Sequence, residues 1–297
     1  MADFNFDTEA ITVVERWGKF IQGKTAVITG TSDGGIGATT AISLAHGQPS
    51  KLILLARSAN KVRKVIDKIK QITAATILSL TDKIDVLINN AGVMAIPWAK
   101  NKNGIEKTLA VNHLGHFLLV KQLLPALMAA GPGSRVINLS SAGYEMGPFR
   151  FDDWNFSDGQ EYNPYAYYAQ SKTANILFTV ALAERAQSHG ILAFAVHPGF
   201  IPGTSLTAHL ASVDADEMNK VALENTGFGF GPIEPKSQQQ GAATTIVAAL
   251  SPDITGSSGS YLGDCQVEEV REYASDPELA KKLWLLSEEL VGEKFSI

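Results

Sequence analysis

Tyr168 and Lys172 stand four residues apart in Tyr168-Ala169-Gln170-Ser171-Lys172. On a helix that spacing places a phenol and an ammonium on one face. A free tyrosine titrates at about 10, too high to exchange protons readily near neutrality, and a neighbouring positive charge stabilises its phenolate. The pair could therefore deliver or take up a proton during a reaction. Alone it is equally an amphipathic helix face, and its weight comes from what accompanies it. The nearby Tyr162, Tyr165 and Tyr167 have no lysine four residues downstream. Upstream, Arg135-Val-Ile-Asn-Leu-Ser140-Ser141 reads as a buried strand with two hydroxyls at its carboxyl end. Either hydroxyl could hydrogen-bond a substrate oxygen in a transition state, or simply cap a turn. Asn112 interrupts the apolar helical stretch Leu109 to Leu114, where a buried amide needs partners. It is either a structural hydrogen-bond centre or part of a proton relay.

A second group of residues could hold a phosphorylated ligand. Gly30-Thr31-Ser32-Asp33-Gly34-Gly35-Ile36-Gly37 follows an apolar run and precedes a helical pattern. Glycines there let the chain turn tightly and let the backbone approach a pyrophosphate, which the helix N-terminus attracts. Gly30, Ser32, Gly35, Ile36 and Gly37 are the expected contact positions; an ordinary glycine-rich turn is the plainer alternative. Dinucleotide binders that use NAD usually place an acid about 20 residues past the glycines. Here Arg57 occupies that place, and no Asp or Glu lies between Ser50 and Asn60. A guanidinium suits a 2′-phosphate, so NADP(H) is expected, against the alternative of a solvated surface arginine. Asn89-Asn90-Ala91-Gly92 ends another strand and puts Asn90 near the same ligand, unless it is only a turn.

These residues need a frame to position them. Short apolar runs alternate with helical patterns, which predicts a parallel sheet covered by helices. Strands are expected at Lys24–Gly30, Lys51–Ala56, Asp85–Asn89, Arg135–Leu139, Leu192–Val196 and near Ser260–Leu262. Helices are expected at Ile36–Ala45, Ile105–Ala130 with a kink at Pro125, Tyr165–Gln187, Gln238–Leu250 and Pro277–Leu290. Gly203–Lys236 has weak periodicity and reads as an irregular, flexible flap. No convincing linker appears, so 1–297 is expected to be one domain.

The chain has 297 residues, 45% of them hydrophobic and 19% charged, with a formal net charge of −5. No basic run favours nucleic acid or an anionic membrane. Cys265 is the single cysteine and cannot form an internal disulfide. The amino-terminal residues lack a secretory pattern and no apolar run approaches a membrane span, so a soluble cytoplasmic protein is expected. No metal site is expected.

The ordered set TGTSDGGIG, NNAG, the asparagine of AVNHLG, the serine pair, YAQSK and HPGFIPGT resembles the short-chain dehydrogenase/reductase family across nearly the whole chain. FDDWNF, SKTANILF, GAATTIVAAL, YLGDCQV and LWLLSEELVG resemble its retinol dehydrogenase-like branch. The resemblance implies an α/β, Rossmann-like, doubly wound parallel sheet and hydride transfer between NADP(H) and a carbonyl or alcohol. By position it implies Tyr168 as proton donor and acceptor, and Lys172 as the group that lowers its pKa and binds the nicotinamide ribose. Ser141, rather than Ser140, would orient the carbonyl, and Asn112 would extend the relay. Ile201 and Thr204 would sit at the nicotinamide.

The chain departs from the family pattern in three places. The glycine loop has one extra residue between Gly30 and Gly35, and an added glycine precedes Thr204. Only 27 residues, 58–84, separate Arg57 from Asp85, where a helix, a strand and a helix would need about 40. The third, edge strand of the sheet is therefore expected to be missing, with weakened cofactor binding as one consequence. That leaves two competing functions: an active reductase or dehydrogenase, or a cofactor-binding regulator or inactive relative. An epimerase or dehydratase on the same fold is a further alternative. The substrate is expected to be small and apolar if Phe149, Phe151, Trp154, Phe156, Tyr162, Phe228 and Phe230 line the cleft. The other reading is that these aromatics only pack the 147–164 insertion. The oligomeric state is left open, a homo-oligomer included.

Overall fold

A computed structural model describes residues 3–56, 65, 81–210 and 212–297. Its centre is a sheet of strands β1 (Thr25–Thr29), β2 (Lys51–Leu55), β3 (Val86–Asn89), β4 (Arg135–Leu139), β5 (Leu192–Val196), β6 (Tyr261–Gly263) and β7 (Gln266–Glu268). The spatial order is β2-β1-β3-β4-β5-β6-β7. All neighbours are parallel except β6 and β7, which form an antiparallel hairpin. The chain reverses direction of winding between β1 and β3, and ligands in such sheets bind beyond the strand ends at that switch.

Continuous apolar strands are what a sheet buried on both faces requires. Successive residues divide between two cores: Ala26, Ile28, Val86, Ile88 and Ile137 face one, while Val27, Leu87 and Val136 face the other. Helices α1 (Ala10–Trp17), α2 (Ile36–His46) and α6 (Gln238–Leu250) cover the first face. Helices α3 (Gly115–Ala129), α4 (Pro164–Ala186) and α7 (Pro277–Val291) cover the second, where Trp284, Phe117, Phe178 and Phe295 pack ring against ring. Arg135 reaches from β4 to the end of α6 and donates to the Ala248 and Ser251 carbonyls at 2.8 and 2.7 Å. A cation at a helix C-terminus is favoured by the helix dipole.

Several expectations are revised. Pro125 lies inside α3. An unexpected irregularity falls at Ala110–Leu114, a π turn around Asn112. The 203–236 segment contains a regular helix, α5 (Ala215–Thr226), capped by Asp214 and ended at Gly227 with φ +75. Only Met218, Val221 and Ala222 of α5 are buried, a stripe too narrow to announce itself in the sequence. Helix α1 and strand β7 are additions to the expected elements. Among the described residues, β2 ends the sheet; the expected loss of a third strand falls within 57–64 and 66–80, outside the described residues. No helix among the described residues is long and apolar enough to cross a membrane.

Candidate active site

The carboxyl ends of β1, β3, β4 and β5 open into a cleft of about 930 Å³. Gly30, Ser32, Gly35, Ile36, Asn90, Ser141, Tyr168, Lys172, Ile201 and Thr204 all line it. Ten of the predicted positions thus meet on one surface. Gly37 and Asn112 are buried behind it, and Arg57 lies outside the described residues.

At one end, β1 delivers Gly30 with φ +71. A Cβ there would stand 2.7 Å from the Ala91 Cα and 2.8 Å from the Asn90 Nδ2. Asn90 fixes the turn by donating to the Thr29 and Gly30 carbonyls at 2.7 and 3.1 Å. The extra loop residue is absorbed by a turn from Ser32 to Gly35, with Gly34 at φ +79. A Cβ on Gly37 would stand 2.4 Å from the Asn90 amide, so the third glycine lets α2 close onto β3. Helix α2 then starts at Gly35 with no side-chain cap and no acid in its first turn. The positive end of its dipole lies beside Ser32, Gly35 and Ile36 on the cleft wall. Ile36 and Ile201 meet over Gly241, where a Cβ would lie 2.9 and 2.7 Å from them.

At the other end, α4 begins with Asn163, which accepts hydrogen bonds from Tyr165 and Ala166, and with Pro164 at its first position. Tyr168 and Lys172 follow on its buried face. The Tyr168 ring lies against Gly143, where a Cβ would stand 2.9 Å from the ring. The Ser141 hydroxyl lies at the same place, its Oγ 3.3 Å from a Cβ built on Gly143. Ser141 accepts from the Gly143 N–H at 3.0 Å. Ser140 is occupied differently, donating to the Lys172 carbonyl at 2.8 Å. The Lys172 ammonium donates to the Leu139 carbonyl at 3.0 Å and stands 5.4 Å from the Tyr168 ring centre.

The electrostatics differ from the expectation of a lowered tyrosine. Burial pushes the Tyr168 phenol up to about 12, opposed by the neighbouring Ser141 hydroxyl. Burial also brings the Lys172 amine down to about 8. Desolvation of a phenolate in this wall dominates, and the ammonium faces the Leu139 carbonyl.

Asn112 is locked in place by hydrogen bonds to both the N–H and the carbonyl of Val93, at 2.8 and 2.9 Å, and to Ser171 Oγ at 2.9 Å. The insertion aromatics do not line the cleft. Phe149, Phe156 and Tyr162 pack in the second core instead, with Tyr162 and Tyr167 against Trp98. Phe230 does line it, whereas Phe228 is 61% exposed. The wall beside Tyr168 is built from Met94, Val213, Met218, Phe230 and Ile233.

Sequence reasoning missed a polar rim. His197 lines the cleft and accepts from the Ala142 and Gly199 N–H groups at 3.1 and 3.3 Å. Lys236, whose side chain is 2% exposed, lies against Gly199 and pairs with Asp264 at 2.5 Å. Its ammonium also sits 4.5 Å from the Phe6 ring centre. The HPG segment was visible, but nothing local ties it to a lysine more than thirty residues later.

Burial holds three imidazoles below their ordinary value of 6.5: His113 at about 3, His116 and His197 at about 4. Unfolding restores the ordinary value, so between pH 6.5 and about 4 the unfolded chain binds more protons than the folded one. Stability is therefore intact above pH 6.5 and is lost as pH falls toward 4. The melting temperature at pH 5 should lie roughly 5 °C or more below that at pH 7.5. Calorimetry showing a flat profile over that interval would contradict the buried neutral imidazoles.

The sequence model described as short chain dehydrogenase matches residues 70–153. Mouse retinol dehydrogenase 14 is 41% identical over 210 residues, covering 71% of this chain and 60% of that protein. Human retinol dehydrogenase 13 is 35% identical over 296 residues, covering 92% of this chain and 86% of that protein. A crystal structure of an uncharacterized protein from Mycobacterium paratuberculosis superposes with a TM-score of 0.66 at 30% identity, over 93% of this chain and 96% of that one. The chain belongs to the short-chain dehydrogenase/reductase family. Its relatives place it in the retinol dehydrogenase-like branch. The chain spans about 60% of the length of the mouse and human retinol dehydrogenase 14 proteins it matches.

Proposed function

We propose that this chain, as one domain over 1–297 with 203–236 as a substrate flap, is an NADP(H)-dependent oxidoreductase acting on a carbonyl or alcohol. The observation that carries the reading is that Ser141, Tyr168 and Lys172 line the wall of a cleft whose other end is the glycine turn. A nicotinamide dinucleotide fits these residues, because the N-terminal end of α2 and the close approach at Gly30 suit a pyrophosphate. Arg57 would take the 2′-phosphate, and Ile201 and Thr204 would flank the nicotinamide. The bound cofactor supplies or accepts the hydride.

The protein's own residues manage the proton. Ser141 would orient the carbonyl oxygen. Tyr168, at about 12, is protonated at neutral pH and so is in the correct state to donate to that oxygen in reduction. Lys172, at about 8, can accept and hand on a proton near neutrality. Asn112 extends that relay by fixing the Val93 and Ser171 groups beside it. The apolar wall of Met94, Met218 and Phe230 favours an apolar carbonyl.

Fluorescence titration should show NADPH binding about ten-fold or more tighter than NADH, from one charge-assisted contact set. Equal affinity would remove the assignment to Arg57. NADPH should then be consumed with some member of an apolar aldehyde and ketone panel. Binding without turnover would favour a cofactor-binding regulator, and turnover without net cofactor consumption an epimerase or dehydratase.

A further inference from the structure

His116 stands behind the cleft on α3, buried and without an assigned role. Its Nδ1 lies 3.1 Å from the Asn112 carbonyl oxygen and its Nε2 lies 3.2 Å from Thr29 Oγ1. The Thr29 hydroxyl already accepts two N–H groups, from Asn90 and Ala91, each at 2.9 Å. Both its lone pairs are used, so its proton must go outward. The Ile88 carbonyl at 3.5 Å is the poorer target and the imidazole at 3.2 Å the better one. Nε2 is then the acceptor, and the proton on Nδ1 is donated to Asn112. One tautomer satisfies every group.

The connection continues on both sides. Asn112 donates to Ser171 Oγ at 2.9 Å, and Ser171 donates to the Tyr168 carbonyl at 2.7 Å. Thr29 precedes Gly30 and holds the Asn90 strand end. The imidazole therefore joins the segment carrying the glycine turn to the segment beside the tyrosine, across the π turn that carries Asn112.

We propose that His116 is a positioning residue: as the neutral Nδ1–H tautomer it ties the Asn112 turn to the end of β1 and fixes the spacing between the glycine turn and Tyr168. Its effect on turnover rests on the oxidoreductase reading above; its bonding does not.

The test compares His116→Phe, His116→Asn and His116→Gln with the wild-type chain for NADPH affinity, kcat and KM on the best panel carbonyl, and melting temperature. Phenylalanine fills the volume but makes neither bond. Asparagine can place an amide nitrogen at Nδ1, and glutamine can place an amide at Nε2. His116→Phe should lower kcat about ten-fold with a smaller change in KM, and the two amide variants should each keep more activity than phenylalanine. If phenylalanine matches wild type, or both amides fall below it, the ring only fills space and the proposal fails. Nitrogen-15 NMR of wild type supplies a readout free of any variant's folding. A slowly exchanging Nδ1–H is expected, and the Nε2–H tautomer would overturn the proposal. A wild-type chain that binds neither NADPH nor NADH would sink the oxidoreductase reading, and the tautomer would still decide this one.

Discussion

Replacing Tyr168 with phenylalanine should leave NADPH affinity within about two-fold and lower kcat by about 10²–10⁴-fold, the range for removing a positioned acid–base group. The separation of the two effects follows from the geometry. The ring, not the hydroxyl, packs on Gly143 and against the apolar wall, so phenylalanine keeps the shape of the cleft. Ser141 beside it keeps its bond from the Gly143 N–H. Glycine turn, α2 and Asn90 lie at the other end and are untouched. Single-turnover assays beside a binding titration would measure both quantities. A variant that still turns over at the wild-type rate would remove Tyr168 from the chemistry.

Gly30→Ala should cost about 2–4 kcal/mol of stability and abolish measurable dinucleotide binding. Two costs add here: an alanine held in the left-handed region, and a methyl forced against neighbouring backbone. At Gly30 the φ is +71 and the nearest atom to a Cβ is the Ala91 Cα at 2.7 Å, which no rotamer can move. Gly34 offers an internal control. Its φ is +79, yet a Cβ there meets nothing within 4 Å. Gly34→Ala should show only the smaller conformational cost, about 1–2 kcal/mol. Urea denaturation and NADPH titration of both variants would separate the terms. Equal behaviour of the two would mean that close approach at Gly30 is unimportant.

What the sequence disclosed, and what it withheld, follows from the range of the forces involved. Strands such as Arg135–Leu139 and Leu192–Val196 were readable because burial on both faces leaves an uninterrupted apolar run. Helix α4 was readable as a helical pattern over Tyr165–Gln187, and the structure adds its start at Asn163-Pro164. The turn at Gly30 and the Tyr168–Lys172 face were likewise local patterns. Strand β7 was not, since Gln266–Glu268 is short and mostly polar and joins the sheet by antiparallel pairing with β6. The π turn was hidden because it is held by Asn112 on Val93, 19 residues away. The Tyr168 shift was misjudged in sign, because spacing reveals a nearby charge but not the desolvation that dominates. The insertion aromatics show the same limit: composition could not say whether Phe149 faced ligand or core.

The β6–β7 hairpin turns through Asp264 and Cys265, both non-glycine residues with positive φ, +46 and +65. Such a bend stores conformational cost and survives only where neighbours hold it. One holder is the Cys265 N–H bond to Thr244 on α6, and another is the ion pair from Asp264 to Lys236. Fraying of the terminal hairpin would therefore strand a desolvated ammonium at the rim of the cleft. The outermost strand and the charge balance of the pocket are fastened by one clasp, so neither can loosen without the other.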